Sequence, residues 1–588
     1  MSVDTLPARI DTASAARPPR VWLGAVMVAL FWAAYLGTYA VEMPTFIRFA
    51  GRTAAAILLP PALALWWWLR RGVPRRERWT GFLIATLLVV PAVALVHPSI
   101  GGFGVIVGGL PMVLSAGMIW LLVSRRATSR IRQIGLVAAL VVAWGGFLSI
   151  RTDGLDGDQR AAAHWRWTPT AEERFLADKK PPTVAPVDAA PLTLGPDDWP
   201  GFRGPHRDSV VRGVTIRTDW TATPPKPLWR TPVGPGWSSM AVVGRRLFTQ
   251  EQRGEREAIV AYDAATGTEV WVHENPARFY DPVAGAGPRA TPAFADGRLF
   301  CLGGSGLLNC LDAATGREYW SRDAAAEAGA KAPTWGFCSS PLVYDGLVIV
   351  YTGGTKGLLA YRAATGEPAW SADAGTVGYG SPQFAVVAGV PAVLFFGDRG
   401  LCAFDPSTGA TLWEHEIALP GAPRSIQPHV FGGSQILVSS EVDLGTAALD
   451  VTHAGTTWSI NRRWTSRDLK PSFNDYVIHE GHAYGFDGSL FTCIDLASGK
   501  RRWKGGRYGH GQVVLLADQA LLLVVSETGD IVLVNADPQQ HRELGRVAAV
   551  CGKTWGHPAV AGGRLFVRSG EEMACFELAT LATTSGSR

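Results

Sequence analysis

Three short motifs are missing from the 588 residues: there is no Cys-x-x-Cys pair, no P-loop and no nucleophile elbow. Dithiol redox chemistry, P-loop nucleotide hydrolysis and α/β-hydrolase acyl transfer therefore have no sequence support. Cysteine is scarce, seven in all, with no adjacent pair. Charged residues make up only 18% of the chain, and behind the net charge of +5 the arginines gather in short gaps between apolar runs. Membrane topology explains them there, so no nucleic-acid partner is inferred. A secretory cleavage pattern is also lacking, because the first apolar run is long and others follow it.

What is present splits the chain in two, as its length requires of a protein too large for one core. After an N-tail at residues 1–20, residues 21–150 hold five apolar runs: Val21 to Val41, Thr53 to Leu69, Thr80 to Val96, Phe103 to Val123 and Ile131 to Ile150. Each approaches the roughly 20 residues that a membrane-spanning helix needs. The second and third are short and carry Pro60, Pro61 and Pro91. Arginines crowd the N-tail, the second gap (Arg70, Arg71, Arg75, Arg76, Arg78) and the fourth (Arg125, Arg126, Arg130, Arg132), while the first gap has only Arg48 and Arg52. This distribution predicts a cytoplasmic N-terminus, and five spans put the rest in the periplasm of a bacterial inner membrane. Four spans would leave it in the cytoplasm. Trp66, Trp67 and Trp68 read as an interfacial anchor in contact with membrane lipid. No acidic residue lies well inside a run, so a proton relay is not indicated. Residues 151–198 read as a juxtamembrane segment, with a membrane-surface patch from His164 to Leu176 and an extended Pro/Ala-rich linker from Lys179 to Pro196.

Residues 199–578 are built from repeats. Ala261 to Trp271, Cys310 to Trp320, Ala360 to Trp370, Ala403 to Trp413 and Cys493 to Trp503 share an A/C-x-D-x-x-T/S-G-x-x-x-W pattern, in which Arg362 replaces the Asp once. A degenerate copy runs from Ala448 to Trp458, and weaker ones centre on Asn535 and Glu577. Successive copies are 40 to 50 residues apart. Strand, Asp-Gly turn, strand, Gly-rich turn, strand, Thr-Gly turn and strand fit that length, which predicts an all-β propeller of eight four-stranded blades. The eighth unit supplies only three strands before a polar tail at residues 579–588. An orphan strand upstream, Leu228 to Val233, carries Trp229 where a repeat Trp belongs and is expected to complete the last blade.

The repeat resembles the tryptophan-docking motif of quinoprotein dehydrogenases and of BamB-like propellers of the outer-membrane assembly machinery. Asp197 to Gly204 (DDWPGFRG) and Arg501 to Gln512 resemble bacterial pyrroloquinoline-quinone (PQQ)-binding-like repeat proteins. Five spans ahead of such a propeller are also similar to the layout of membrane-bound glucose dehydrogenases. The BamB-like side implies a scaffold or binding module for envelope proteins or a small ligand. The dehydrogenase side implies PQQ on a Trp floor near the axis, a calcium ion held by carboxylate and amide oxygens, an Asp base and a vicinal Cys pair. The chain departs from it: no two cysteines are adjacent, and short repeats leave little room for the insertions that cover the cofactor.

Aligned first strands predict a column at the mouth of the axial channel: Ser239, Thr291, Ser340, Ser381, Gln427, Asn474, Gly511 and His557. Arg289, Trp335, Tyr379, Asp475, His510 and Trp555 are neighbours. Such a ring either binds a ligand, ion or partner side chain, or satisfies backbone groups at strand starts. Asn474 and Asp475 are the only adjacent amide and carboxylate, too few oxygens for calcium alone. His479 and His482 are three apart on an expected strand and so point to opposite faces. Trp229, Trp271, Trp320, Trp370, Trp413, Trp458 and Trp503 are assigned to packing between blades. Cys301 and Cys310 face each other if the turn is Ser305-Gly306, which permits a disulfide; both also suit a buried apolar role. Longer loops carrying Arg278, Tyr280, Lys331 and Trp335 offer either a docking face or ordinary loop variation.

Overall fold

In the computed structural model the Asp-x-x-Thr-Gly sequences close the turns between the third and fourth strands of successive blades. The structure describes residues 21–41, 43, 45–69, 75–179, 190–419, 421 and 423–578, in two compact units: residues 1–152 with 163–167, and residues 153–162 with 168–588. In each regular turn the carboxylate accepts from its own loop, as Asp263 does from Ala265 N, Thr266 N and Thr266 Oγ1. Asp312, Asp405 and Asp495 repeat the arrangement. The glycine that follows has positive φ, +74° at Gly316, where a Cβ would also lie 2.6 Å from the Trp271 ring. Only glycine meets both conditions.

That contact joins the blades. Trp271 lies over Gly316 and donates to Ala313 O (3.2 Å), and Trp320 lies over Gly366 and donates to Ala363 O (3.0 Å). Trp370 and Trp503 likewise donate to the next blade's turn, at Pro406 O and Asp537 O.

The result is an eight-bladed propeller. Its first blade comprises Ala241–Val243, Arg246–Arg253, Arg256–Asp263 and Glu269–Asn275. The next six occupy residues 293–323, 342–372, 383–415, 429–466, 477–507 and 512–548. In the eighth, Lys226–Pro232 lies antiparallel on Glu572–Glu577, with Trp229 opposite Cys575. Arg568 of that blade is buried and donates to Ser238 O, Gln250 O and Gly234 O, so last and first blades are stapled through one guanidinium.

Two expectations fail on register. In the fifth blade the third and fourth strands are ten residues each, Gly445–Ala454 and Thr457–Ser466, so the hairpin projects beyond the usual turn. The docking residue is Trp464: it pairs with Ala448, lies over Gly499 and donates to Leu496 O at 2.9 Å. Trp458 sits out on the extension, stacked on His453 and beside Trp413. The second failure is the disulfide. Phe300 pairs with Cys310 and Cys301 with Asn309, one step off the expected register. A one-residue offset sends side chains to opposite faces, and the two cysteines are free and buried in different interblade cores.

The helical unit contains α1 (Trp22–Gly37), α2 (Thr45–Trp68), α3 (Arg75–Leu95), α4 (Gly101–Arg126, with a π turn at Val105–Gly109) and α5 (Ser129–Leu148). The last four are long and apolar enough to cross a membrane. Helix α1 has 16 residues, about 24 Å at 1.5 Å per residue, which is short of a hydrocarbon core of roughly 30 Å. Helix α2 starts eight residues earlier than expected and takes Arg48 and Arg52 out of the first gap into its own length. Trp32 Nε1 donates to Ser115 Oγ, tying α1 to α4, and Gly135 gives the Trp120 ring room between α4 and α5. Trp68 meets Trp79 edge-on at 4.7 Å, so the Trp triplet also packs on α3.

Candidate functional site

The predicted column is a seam between blades. Ser239 N donates to Thr291 Oγ1 (3.2 Å), Thr291 N to Ser340 Oγ (2.9 Å) and Ser340 N to Ser381 Oγ (2.9 Å). Gln427 donates to Ser381 O, and Ser239 Oγ donates to His557 O, which joins the eighth blade to the first. All are buried. In every blade but the seventh the column residue lies two before the start of the first strand, such as Ala241 or Val477. That rule puts Asp475 in the column instead of Asn474. In the seventh blade the pairing of Val514 with Leu523 puts Gln512 there instead of Gly511. Gln512 accepts from Asp475 N and donates to Trp555 O, while Asn474 turns back to accept from Ser472 N.

One end of the axis is filled by the entry segment. Trp199 bridges to Val242, Phe294 N donates to Pro200 O, and Val210–Val211 pairs in parallel with Leu515 and Leu516, so the segment crosses the blades' inner turns. From it Arg203, 1% exposed, places Nη1 2.9 Å from Asp475 Oδ2, donates from Nη2 to Tyr476 O and from Nε to Ser209 Oγ. His429 Nε2 lies 2.8 Å from Asp475 Oδ1. Against the desolvation of burial, Arg203 and His429 hold the Asp475 carboxyl well below its usual range. His557, edge-on to Phe202 at 5.0 Å, is pushed down to about 3 by burial and by the Arg203 charge. Arg207 donates to Pro341 O and Ser340 O beside them.

The opposite mouth is aromatic. Trp237 and Phe473 each lie 4.7 Å from Trp555, Phe473 stacks on His510, and Trp335 lies 4.8 Å from Tyr379. Lys553 Nζ stands 4.0 Å over the Trp555 ring, and burial lowers its pKa to about 8. Arg289 is paired with Asp281 at 2.7 Å. Residues 153–162 come into this mouth: Gly157 N donates to Glu527 (2.6 Å), Leu155 N to Val283 O, and Lys553 to Leu155 O (2.7 Å). A Cβ on Gly157 would fall 1.9 Å from His510 Nδ1. Burial opposes ionisation of Glu527, yet His510, Trp555 and Gly157 hold it down at about 2. In turn Glu527, 3.8 Å away, raises His510 against its own burial.

The segment after these residues also docks. The helix Ala171–Asp178, started by a Thr170–Glu173 capping box, sets Glu172 on Arg278 at 2.9 Å and on Gly254 N, and Arg174 on Glu571. This replaces the membrane-surface reading of His164 to Leu176 over its second half, and it occupies the Arg278 loop with the chain's own helix. Residues 180–189 of the expected linker, the N-tail and the C-tail from 579 lie outside the described residues. His479 and His482 are a cross-strand pair flanking a two-residue turn, not neighbours on one strand, and no group of three or more metal-binding side chains occurs among the described residues. Sequence reasoning missed Arg203, His429, Glu527, Lys553, Trp237 and Phe473. The one available signal was an arginine inside the Gly-rich turn Gly201 to Gly204.

Residues 255–505 match the family described as outer membrane protein assembly factor BamB. The BamB of Burkholderia pseudomallei is 25% identical over 314 residues, 50% of this chain and 74% of that protein. The quinohemoprotein alcohol dehydrogenase ADH-IIG of Pseudomonas putida is 29% identical over 191 residues, 29% of this chain and 25% of that protein. The crystal structure of BamB from Moraxella catarrhalis aligns with a TM-score of 0.44 at 17% identity, covering 60% of this chain and 97% of that one. With its Trp-docked blades the chain is an eight-bladed propeller of PQQ-like repeats, similar over residues 255–505 to the BamB family, and it carries N-terminal helices able to span a membrane.

Proposed function

We propose that the propeller is a non-catalytic binding module for envelope proteins, held in the periplasm by a helical domain in the bacterial inner membrane, with the N-terminus cytoplasmic and the short α1 crossing as a fifth span where the bilayer thins around it. The observation that carries this is the filling of the axis from both ends by the chain itself, Arg203 at one and residues 153–162 at the other. What remains for recognition is the outer surface and the blade loops, the surface through which a scaffold works. The match to an assembly factor supports the same reading.

A PQQ-dependent dehydrogenase of sugars or alcohols that passes electrons to ubiquinone is the second reading, favoured by the aromatic mouth and the match to the alcohol dehydrogenase. The residues do not fit the cofactor pair. Calcium needs six to eight oxygens, and the two buried axial carboxylates described above are committed, Asp475 to Arg203 and His429 and Glu527 to Gly157 N and Trp555 Nε1. The rings that could stack a quinone surround a mouth filled by Gly157 and its neighbours. Titrating full-length protein with PQQ and calcium, followed by indole fluorescence and dye reduction with a panel of sugars and alcohols, tests the choice. The binding module gives neither quenching nor turnover; stoichiometric quenching with dye reduction refutes it.

A further inference from the structure

Residues 21–150 contain eleven arginines, no lysine and two carboxylates, Glu42 and Glu77. Arg48 and Arg52 face inward. They lie one turn apart on α2 and continue the face that further along carries Ala56, Leu59 and Leu63, which pack with Val28 and Phe31 of α1. Arg48 is 8% exposed and Arg52 4%. An arginine inside a helical membrane bundle is costly and calls for a partner.

Arg52 is held by the last turn of α1 and the residues just after it. Nε donates to Thr38 Oγ1 at 2.7 Å, Cζ stands 3.7 Å over the centre of the Tyr39 ring, and the Tyr35 ring is 5.1 Å away. Nη1 and Nη2 are buried and meet no acceptor. Stacking covers the guanidinium face and Thr38 takes Nε, so the edge left is the Nη1–Nη2 edge. Through such an edge a guanidinium grips two oxygens of one anion. The tyrosines and threonine fix its direction before any ligand arrives. That open edge suits a group with several oxygens and one or two negative charges.

We propose that Arg52 is a binding site for a phosphate group, at the end of the bundle where Tyr35, Thr38 and Tyr39 meet α2. This is the level at which a phospholipid headgroup lies, and a soluble phosphate offers the same chemistry. The site is independent of the propeller's role.

The test uses full-length protein in a phosphate-free detergent. Thermal unfolding and native mass spectrometry are read with three additions: inorganic phosphate, phosphatidylglycerol, and dioleoylglycerol as the phosphate-free control. Stabilisation and retention of phosphatidylglycerol but not of dioleoylglycerol identify a lipid headgroup, and a response to inorganic phosphate identifies the soluble source. Arg52→Gln weakens apparent affinity by roughly tenfold or more, Arg48→Gln by less, and Tyr39→Phe, which keeps the ring, by little. If Arg52→Gln does not fold, Arg52→Lys serves, because it keeps the charge and loses the two-donor edge. The proposal is overturned if wild type responds to neither phosphate probe, or if Arg52→Lys binds as wild type does. A response that appears only in Glu42→Gln also overturns it, since the chain's own carboxylate would then be the ligand.

Discussion

His557→Gln flattens the acid side of the propeller's stability profile. In the folded protein His557 titrates at about 3, driven down by burial and the Arg203 charge, while in the unfolded chain a histidine titrates near 6.5. Between those values the unfolded state holds the extra proton, so stability is complete above about pH 6.5 and falls as pH drops towards 3. One pKa unit is worth about 1.4 kcal/mol, so the fall from pH 6.5 to 4.5 reaches about 2.3 kcal/mol, and relaxation of a buried site brings it to roughly 1–3 kcal/mol. His429, lowered by burial despite Asp475, contributes with the same sign in both proteins. His510 is raised and contributes oppositely, again in both. Asp475 is depressed, so its contribution is lost only as pH falls from about 4 through its folded value, below the chosen window. Chemical unfolding followed by the circular dichroism of the sheets, at half-unit steps from pH 7 to 4.5, measures the difference between the two slopes. Parallel slopes for wild type and His557→Gln refute the argument, because the ring would then accept a proton in place and could not be enclosed beside Arg203.

Other outcomes follow from the same geometry. Asp475→Asn leaves Arg203 buried without a counter-charge and destabilises by about 3–5 kcal/mol, whereas Arg203→Met with Asp475→Leu recovers most of it; equal losses in the unfolding midpoint would disprove the pair. Trp464→Phe costs about 1–3 kcal/mol through the lost bond to Leu496 O and lost ring contact, and Trp458→Phe costs less, as read by denaturant midpoints. Native protein treated with a maleimide is labelled at Cys551, the one exposed thiol, and all seven react after unfolding without reductant. A Cys301–Cys310 bridge would leave only five.

The blade count was legible in the sequence because its signals are local. An Asp that accepts from its own turn, a glycine at positive φ and a Trp four residues later are fixed by neighbours in the chain, and they recur wherever a blade turns. Apolar runs announced the helices for the same reason. Where a local insertion changed the spacing, the pattern misled: the long fifth-blade hairpin moved docking from Trp458 to Trp464, and one step of register separated Cys301 from Cys310.

The sequence by itself determined the repeat, the fold class and the apolar character of the N-terminal helices, since periodicity and turn chemistry are properties of short segments. Only the tertiary structure decided what fills the axis. Arg203 and Asp475 are 272 residues apart, Gly157 and Glu527 are 370 apart, and Arg52 of α2 meets Tyr39 beyond the end of α1. Pairing of this kind depends on which blade or helix closes beside which, and on how much water is excluded when it does.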